Sequence, residues 1–196
     1  HWSNVSLPWM AFGYGVSITP MQTLAFYNAV ANNGEMVKPQ FVSEVKEWNR
    51  TIRKYDKEVL NPRICSQSTI LKLRAVLENA VKKGTGSKLY SKDFSMAGKT
   101  GTAQADYAKT GKMYYASSFV GYFPADEPKY SCIVVVHKPN TSLNNYYGAD
   151  VAGPVFKRIA QKIFTDAPST NEIKNLDKKI PKQESDYDSY FAKTQH

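Results

Sequence analysis

Cysteine, histidine and long apolar runs are all scarce in this chain of 196 residues. There are two cysteines, Cys65 and Cys132, and three histidines, two of which sit at the extreme termini. The cysteines are far apart in sequence, with no Cys-x-x-Cys and no histidine at ligand spacing, so a zinc site is excluded and no metal ligand is assigned. Cys132 lies in an apolar strand and reads as a small buried hydrophobe, while a disulfide is not deducible from the spacing. His137 ends the same strand and reads as structural. The longest apolar run, "CIVVV" at 132–136, falls far short of the roughly 20 residues a membrane span needs. No secretory signal pattern is present either.

Acidic residues are also under-represented: 17 against 26 lysines and arginines, a formal net charge of +9. The excess is concentrated between residues 61 and 120, where ten basic residues face three acidic ones, whereas residues 169–196 are balanced at five each. Arginines on one helix face interleaved with aromatics are missing, so no nucleic acid is expected as a partner. The local charge fits either ordinary solvated lysines or steering of an anionic substrate or surface.

What is present is the composition of a globular chain, 42% hydrophobic and 13% aromatic, about the size of one domain and able to bury a sizeable core. Thr19-Pro20 is a strong helix start, because the hydroxyl accepts an orphan N–H and proline at the first position loses nothing. The helix is expected to run to about Asn32, with Met21, Leu24 and Ala25 at helical spacing and Gly34 as its cap. From Met36 to Asn61 short alternating pieces predict a β-hairpin or small sheet excursion with its turn near Asn49–Arg50. A second helix is expected from Ser66 or Ser68 to before Gly84, burying Ile70, Leu73, Val76, Leu77, Ala80 and Val81.

Two strands, 117–124 and 130–139, follow around the turn "ADEPK". The second is nearly all apolar, which predicts cover on both faces. A last helix starts at Pro154 and carries Val155, Phe156, Ile159, Ala160 and Ile163. Residues 1–166 thus read as one domain portion and 167–196 as a polar linker or tail. The fold class is α+β, an antiparallel sheet with helices packed on it.

One strand does not fit a packing role. "FSMAGKTGTAQ" at 94–104 gives up nearly all bulk, where a strand buried for packing alone would carry Val, Ile or aromatics. Thr100 and Thr102 share one face of it and Lys99 lies on the other. Gly98 and Gly101 let another backbone lie close. Two hydroxyls and a lysine at an accessible edge suit a carboxylate, and an extended peptide could add itself there as a strand. The alternative is a glycine-marked bulge on an edge strand that lysine guards against aggregation. A phosphate loop is ruled out, because the first glycine of Gly-x-x-x-x-Gly-Lys-Thr would fall on Asp93.

"AGKTGTAQ" resembles the Lys-Thr-Gly motif of penicillin-binding proteins. Its surroundings agree in order and spacing: "FGYGVSITPMQTLAFYNAVANNG", "GTGSKLYSKDFSMAGKTGTAQ", "ASSFVGYFPADEPKYSCIVVVHKP" and "YYGADVAGPVFKRIA". Together, over about residues 10–165, they are similar to the C-terminal part of the transpeptidase domain of class B penicillin-binding proteins.

The resemblance implies a part of a peptidoglycan D,D-transpeptidase that acts on the D-Ala-D-Ala end of stem peptides through an acyl-serine. It also implies a β-lactam target serving cell division or cell shape. Lys99 would hold the proton and charge network around the nucleophile. The hydroxyls of Thr100 and Thr102 would bind the substrate carboxylate, Gly101 would leave room for the peptide, and the Thr102 N–H would be an oxyanion donor. No cofactor is implied. A β-lactamase or D,D-carboxypeptidase of the same fold, or a non-catalytic wall-peptide-binding module, remain the alternatives.

The family's nucleophile motif, Ser-x-x-Lys, is read nowhere in the 196 residues and is expected outside this chain, in an N-terminal part of the same domain. The Ser-x-Asn copies at 142–144 and 169–171 follow the Lys-Thr-Gly motif instead of preceding it and read as chance. The chain alone is therefore expected to be inactive. The 130–139 edge would be covered by that N-terminal part, or by homo-association through the exposed strand. The implied location is outside the cytoplasmic membrane, held there by an anchor upstream of His1.

Overall fold

The computed structural model describes residues 2–11, 13, 15–105, 114–141 and 145–166. The tail at 167–196 and both Ser-x-Asn copies lie outside the described residues. Contacts divide the chain into two units, 1–158 and 159–196. Everything that follows concerns the first, except the end of its last helix. No helix among the described residues is long and apolar enough to cross a membrane.

A short helix α1 (Ser6–Ala11) precedes α2 (Pro20–Ala31). Thr19 caps α2 as expected: its hydroxyl accepts the N–H of Gln22 at 3.2 Å while the Gln22 side chain accepts the Thr19 N–H at 2.8 Å. That reciprocal pair satisfies two donors the first turn would otherwise leave unbonded. The helix ends through Asn33 (φ 55°) and Gly34 (φ 95°). Its core face differs from the expected one. Tyr27, Val30 and Ala31 pack inward, while Met21 is exposed. The inward residues recur at i, i+3 and i+4 nearer the C-terminal end, so the helix is anchored there.

The excursion consists of two antiparallel pairs: β1 (Met36–Val37) with β4 (Val59–Asn61), and β2 (Glu44–Glu47) with β3 (Arg50–Lys54). The turn of the second pair is at Trp48, which has φ 52° and is 96% exposed. The hairpin β2–β3 is exposed along both strands.

Helix α3 (Gln67–Lys82) is capped by Ser66 and buries Ile70, Leu77 and Val81. Val76, expected in this stripe, is 64% exposed. It lies about 100° around the helix from Leu77, outside the arc that faces the sheet. Arg74 reaches back across the core, its Nε donating to the Val30 carbonyl at 3.1 Å and its Nη2 donating to the Ala31 carbonyl. It thereby satisfies carbonyls that the end of α2 leaves free.

The central sheet has the order β5–β6–β7, all antiparallel: β5 (Ala97–Ala105), β6 (Tyr114–Phe123) and β7 (Tyr130–His137). The core under one face joins Val30 and Ala31 of α2, Leu77 of α3 and Ala97, Tyr122 and Ala125. On the other face Phe156 meets Phe119 and Phe123 edge-on, with ring centres 4.7 and 5.7 Å apart. Phe156 comes from α5 (Gly153–Asp166), which follows a one-turn helix α4 (Gly148–Val151). The described end of α5 holds an ion pair of its own, Lys162–Asp166 at 2.9 Å.

The expectation that β7 is covered on both faces is not met. Residues 131–136 are only half-buried: β7 pairs with β6, and no described strand pairs with its outer edge. Cys132 is likewise half-buried, not buried, and both cysteines are free. Burial raises the Cys132 thiol above its ordinary value.

Tyr122 is fully buried, yet its hydroxyl has no hydrogen-bond partner among the described residues. A desolvated, unbonded polar group costs about 1–3 kcal/mol. Tyr122→Phe is therefore expected to leave stability unchanged or raise it by about 1 kcal/mol in urea unfolding; a loss of that size would contradict this. Burial also pushes the phenol from 10.0 up to about 12. The unfolded phenol gives up its proton first, so this residue's contribution is complete below pH 10 and is lost as the pH rises towards 12. Tyr122→Phe removes that part of the alkaline loss.

Candidate active site

β5 carries the Lys-Thr-Gly-Thr sequence along an edge that no described strand pairs. Its register with β6 matches Thr100 with Phe119, Thr102 with Ser117, and Lys99 with Val120. The two threonines therefore share a face with the Phe119–Phe156 contact and Lys99 points to the opposite face, as alternation requires. Lys99 and Thr102 are exposed, whereas Thr100 and Gly101 are half-buried. Lys99 Nζ donates to the Thr100 carbonyl at 2.9 Å, which folds the ammonium back along the strand and leaves it further protons to donate.

Gly101 and Ser118 are opposite each other in the β5–β6 register, and α4 begins directly on this pair. A Cβ on Gly148 would overlap the carbonyl oxygens of Ser118 and of Gly101, the latter at 2.5 Å. Only glycine permits this approach.

The facing hydroxyls of Thr102 and Ser117 then grip the loop on either side of Tyr147. Ser117 Oγ donates to the Tyr146 carbonyl, and Thr102 Oγ1 accepts the Gly148 N–H at 3.1 Å. With one lone pair bonded to an amide, the Thr102 hydroxyl keeps its own proton to donate outward, which suits it to a carboxylate. The Tyr146 ring stacks on Tyr115 at 4.2 Å and holds the loop from the other side.

Thr100 is held as well. Its Oγ1 is 3.1 Å from Thr85 Oγ1, in the loop between α3 and a 3-10 turn, Ser87–Leu89. From that turn Lys88 pairs with Asp150 of α4 at 2.6 Å. Sequence analysis assigned no role to Thr85, Lys88, Ser117, Gly148 or Asp150. The signals were the glycines of "GTG" and "YYG", and the close approach of Gly148 to β5 and β6 explains the second.

One expectation needs correcting. Ser43-Glu44-Val45-Lys46 does have the Ser-x-x-Lys spacing. The spacing works on a helix, where positions i and i+3 are neighbours, but here it leads into β2 and those positions face opposite ways. Lys46 pairs with Glu44 at 2.6 Å instead. Among the described residues no helix carries Ser-x-x-Lys.

The family description "Penicillin binding protein transpeptidase domain" matches residues 2–161. The chain belongs to this family. It is 32% identical over 174 residues to stage V sporulation protein D of Bacillus subtilis (strain 168), covering 83% of this chain and 26% of that protein. It is also 32% identical over 179 residues to peptidoglycan D,D-transpeptidase FtsI of Buchnera aphidicola, covering 90% and 28%.

Among solved structures, penicillin-binding protein 2B of Streptococcus pneumoniae (strain R6) superposes with a TM-score of 0.71 at 25% identity, covering 87% of this chain and 28% of that one. The transpeptidase domain of Burkholderia pseudomallei penicillin-binding protein 3 gives 0.69 at 27% identity, covering 85% and 48%. The relatives are class B penicillin-binding proteins, enzymes that build the bacterial cell wall, and the α+β fold is theirs. The chain spans about a quarter of the length of the curated relatives it matches.

Proposed function

We propose that this chain supplies the carboxylate-binding wall of a peptidoglycan D,D-transpeptidase. The observation that carries this reading is the pair of threonine hydroxyls on an unpaired strand edge, one with its lone pair bonded to the Gly148 N–H and its proton free. The free carboxylate of a D-Ala-D-Ala terminus is a hydrogen-bond acceptor that such donors fit, and Lys99 on the same strand complements its charge. A β-lactam presents the same carboxylate, and the names of the relatives favour peptide transfer over hydrolysis.

In the reaction a serine Oγ attacks the penultimate D-Ala carbonyl, and negative charge develops on its oxygen. The Thr102 N–H is one donor for that charge, and removing such a donor typically costs about 10²- to 10³-fold in rate. The C–N bond breaks and D-alanine leaves with a proton. The amine of a second stem peptide then attacks the acyl-serine: the new C–N bond forms, the serine C–O bond breaks, and the amine's proton returns to the serine Oγ. Lys99 handles charge and protons around the serine and the incoming carboxylate.

The serine comes from the remainder of the same domain, which we place beside the unpaired outer edge of β7. That protein works outside the cytoplasmic membrane. The test is mass spectrometry after incubation with a penicillin. The 196-residue chain alone is expected to gain no adduct, whereas the same residues within the serine-bearing protein gain one penicillin on that serine. An adduct on the isolated chain, Ser43 included, contradicts the reading.

A further inference from the structure

The Lys88–Asp150 ion pair joins the two segments that hold the two site hydroxyls. Lys88 sits on the 3-10 turn whose preceding loop places Thr85 against Thr100. Asp150 sits in the single turn of α4, whose first amide holds Thr102. The 3-10 turn is also packed against the start of α5: a Cβ on Gly153 would lie 2.6 Å from Leu89 Cδ1. Lys157 Nζ donates to the Tyr90 carbonyl at 3.1 Å, closing the same seam.

We propose that Lys88 and Asp150 are positioning residues that set the spacing of the Thr100 and Thr102 hydroxyls, and so tune this site to a substrate carboxylate. The inference rests on the transpeptidase reading above. An ion pair between exposed side chains contributes little. This one is lopsided: the Asp150 side chain is 17% exposed and that of Lys88 74%. The carboxylate is mostly out of water, with the ammonium as its ion-pair partner at 2.6 Å. Removing that partner leaves a desolvated anion in the first turn of α4, and the turn moves towards water to solvate it. The Gly148 amide moves with the turn, and the Thr102 hydroxyl loses the bond that aims its proton. On the other side the loop carrying Thr85 is released from α4. Neither Lys88 nor Asp150 needs to touch the substrate for this to occur.

The readout is the ratio of acylation rates of the intact transpeptidase by a penicillin and by its methyl ester, which lacks the anionic carboxylate. Asp150→Asn and Lys88→Met are expected to lower the acid-over-ester ratio about tenfold, the effect of one weakened bond to a charged group. Lys88→Arg keeps the charge and retains the wild-type ratio. Lys88 is mostly exposed, so its variants fold even if Asp150→Asn does not. A ratio unchanged in Lys88→Met, or acid and ester rates falling together, overturns the positioning role. A wild-type protein that reacts equally with acid and ester overturns the carboxylate reading itself, and the positioning role falls with it.

Discussion

Lys99→Ala, made in the intact transpeptidase, is expected to lower acylation by a β-lactam about 10²- to 10⁴-fold, the range for losing a positioned proton-handling group. Melting is expected to stay within about 0.5 kcal/mol of wild type, as for a surface substitution away from the core. The two expectations separate because Lys99 is exposed and, among the described residues, its hydrogen bond goes to the neighbouring Thr100 carbonyl. The core beneath β5 is built by Ala97 and not by the lysine. Lys99→Arg rescues poorly, because a guanidinium stays protonated and does not give up a proton. Stopped-flow acylation alongside thermal unfolding checks both. A drop in stability parallel to the drop in rate would mean that the lysine is structural.

Gly148→Ala is expected to have the second largest effect, through sterics. The added methyl group has nowhere to go, because it meets the backbone oxygens of Ser118 and Gly101 rather than a flexible side chain. The start of α4 must lift from the sheet, at about 1–3 kcal/mol for an overpacked site. The Gly148 N–H then leaves Thr102 Oγ1. Weakening a bond to a charged group costs about 1.5–3 kcal/mol, roughly 10- to 100-fold in acylation. Thr102→Val removes the hydroxyl without the clash, so it reproduces the loss of rate, and it leaves the Gly148 N–H unbonded at about 1–3 kcal/mol of stability. If Gly148→Ala acylates at the wild-type rate, the amide does not aim the hydroxyl.

These two residues mark how far the sequence could be read. The strand and the faces on which Lys99, Thr100 and Thr102 lie were legible because their signals are local. A strand stripped of bulk is anomalous on its own, and alternation assigns the faces without any tertiary knowledge. The same holds for the Thr19 and Ser66 caps and for the β6–β7 turn.

Gly148 was not legible, because its meaning is a contact with a strand 46 residues earlier, and nothing in "YYGAD" states which backbone it will touch. Asp150 and Lys88 look like any surface pair until the fold brings them together. Val76 satisfied the helical period but lay just outside an arc whose width is set by the sheet. The apolar run of β7 implied two covered faces, while the described residues leave it at a sheet edge. Ser43-x-x-Lys46 shows the converse: a spacing has chemical meaning only on the element that turns both side chains the same way.

The central claim is that the threonine rung on β5 receives the substrate's free carboxylate. A crystal structure of the intact transpeptidase acylated by a penicillin tests it directly. The account predicts the ligand carboxylate within hydrogen-bond distance of both Thr100 Oγ1 and Thr102 Oγ1, with the acyl oxygen on the Thr102 N–H. A carboxylate bound elsewhere, with both hydroxyls left to solvent, would contradict it.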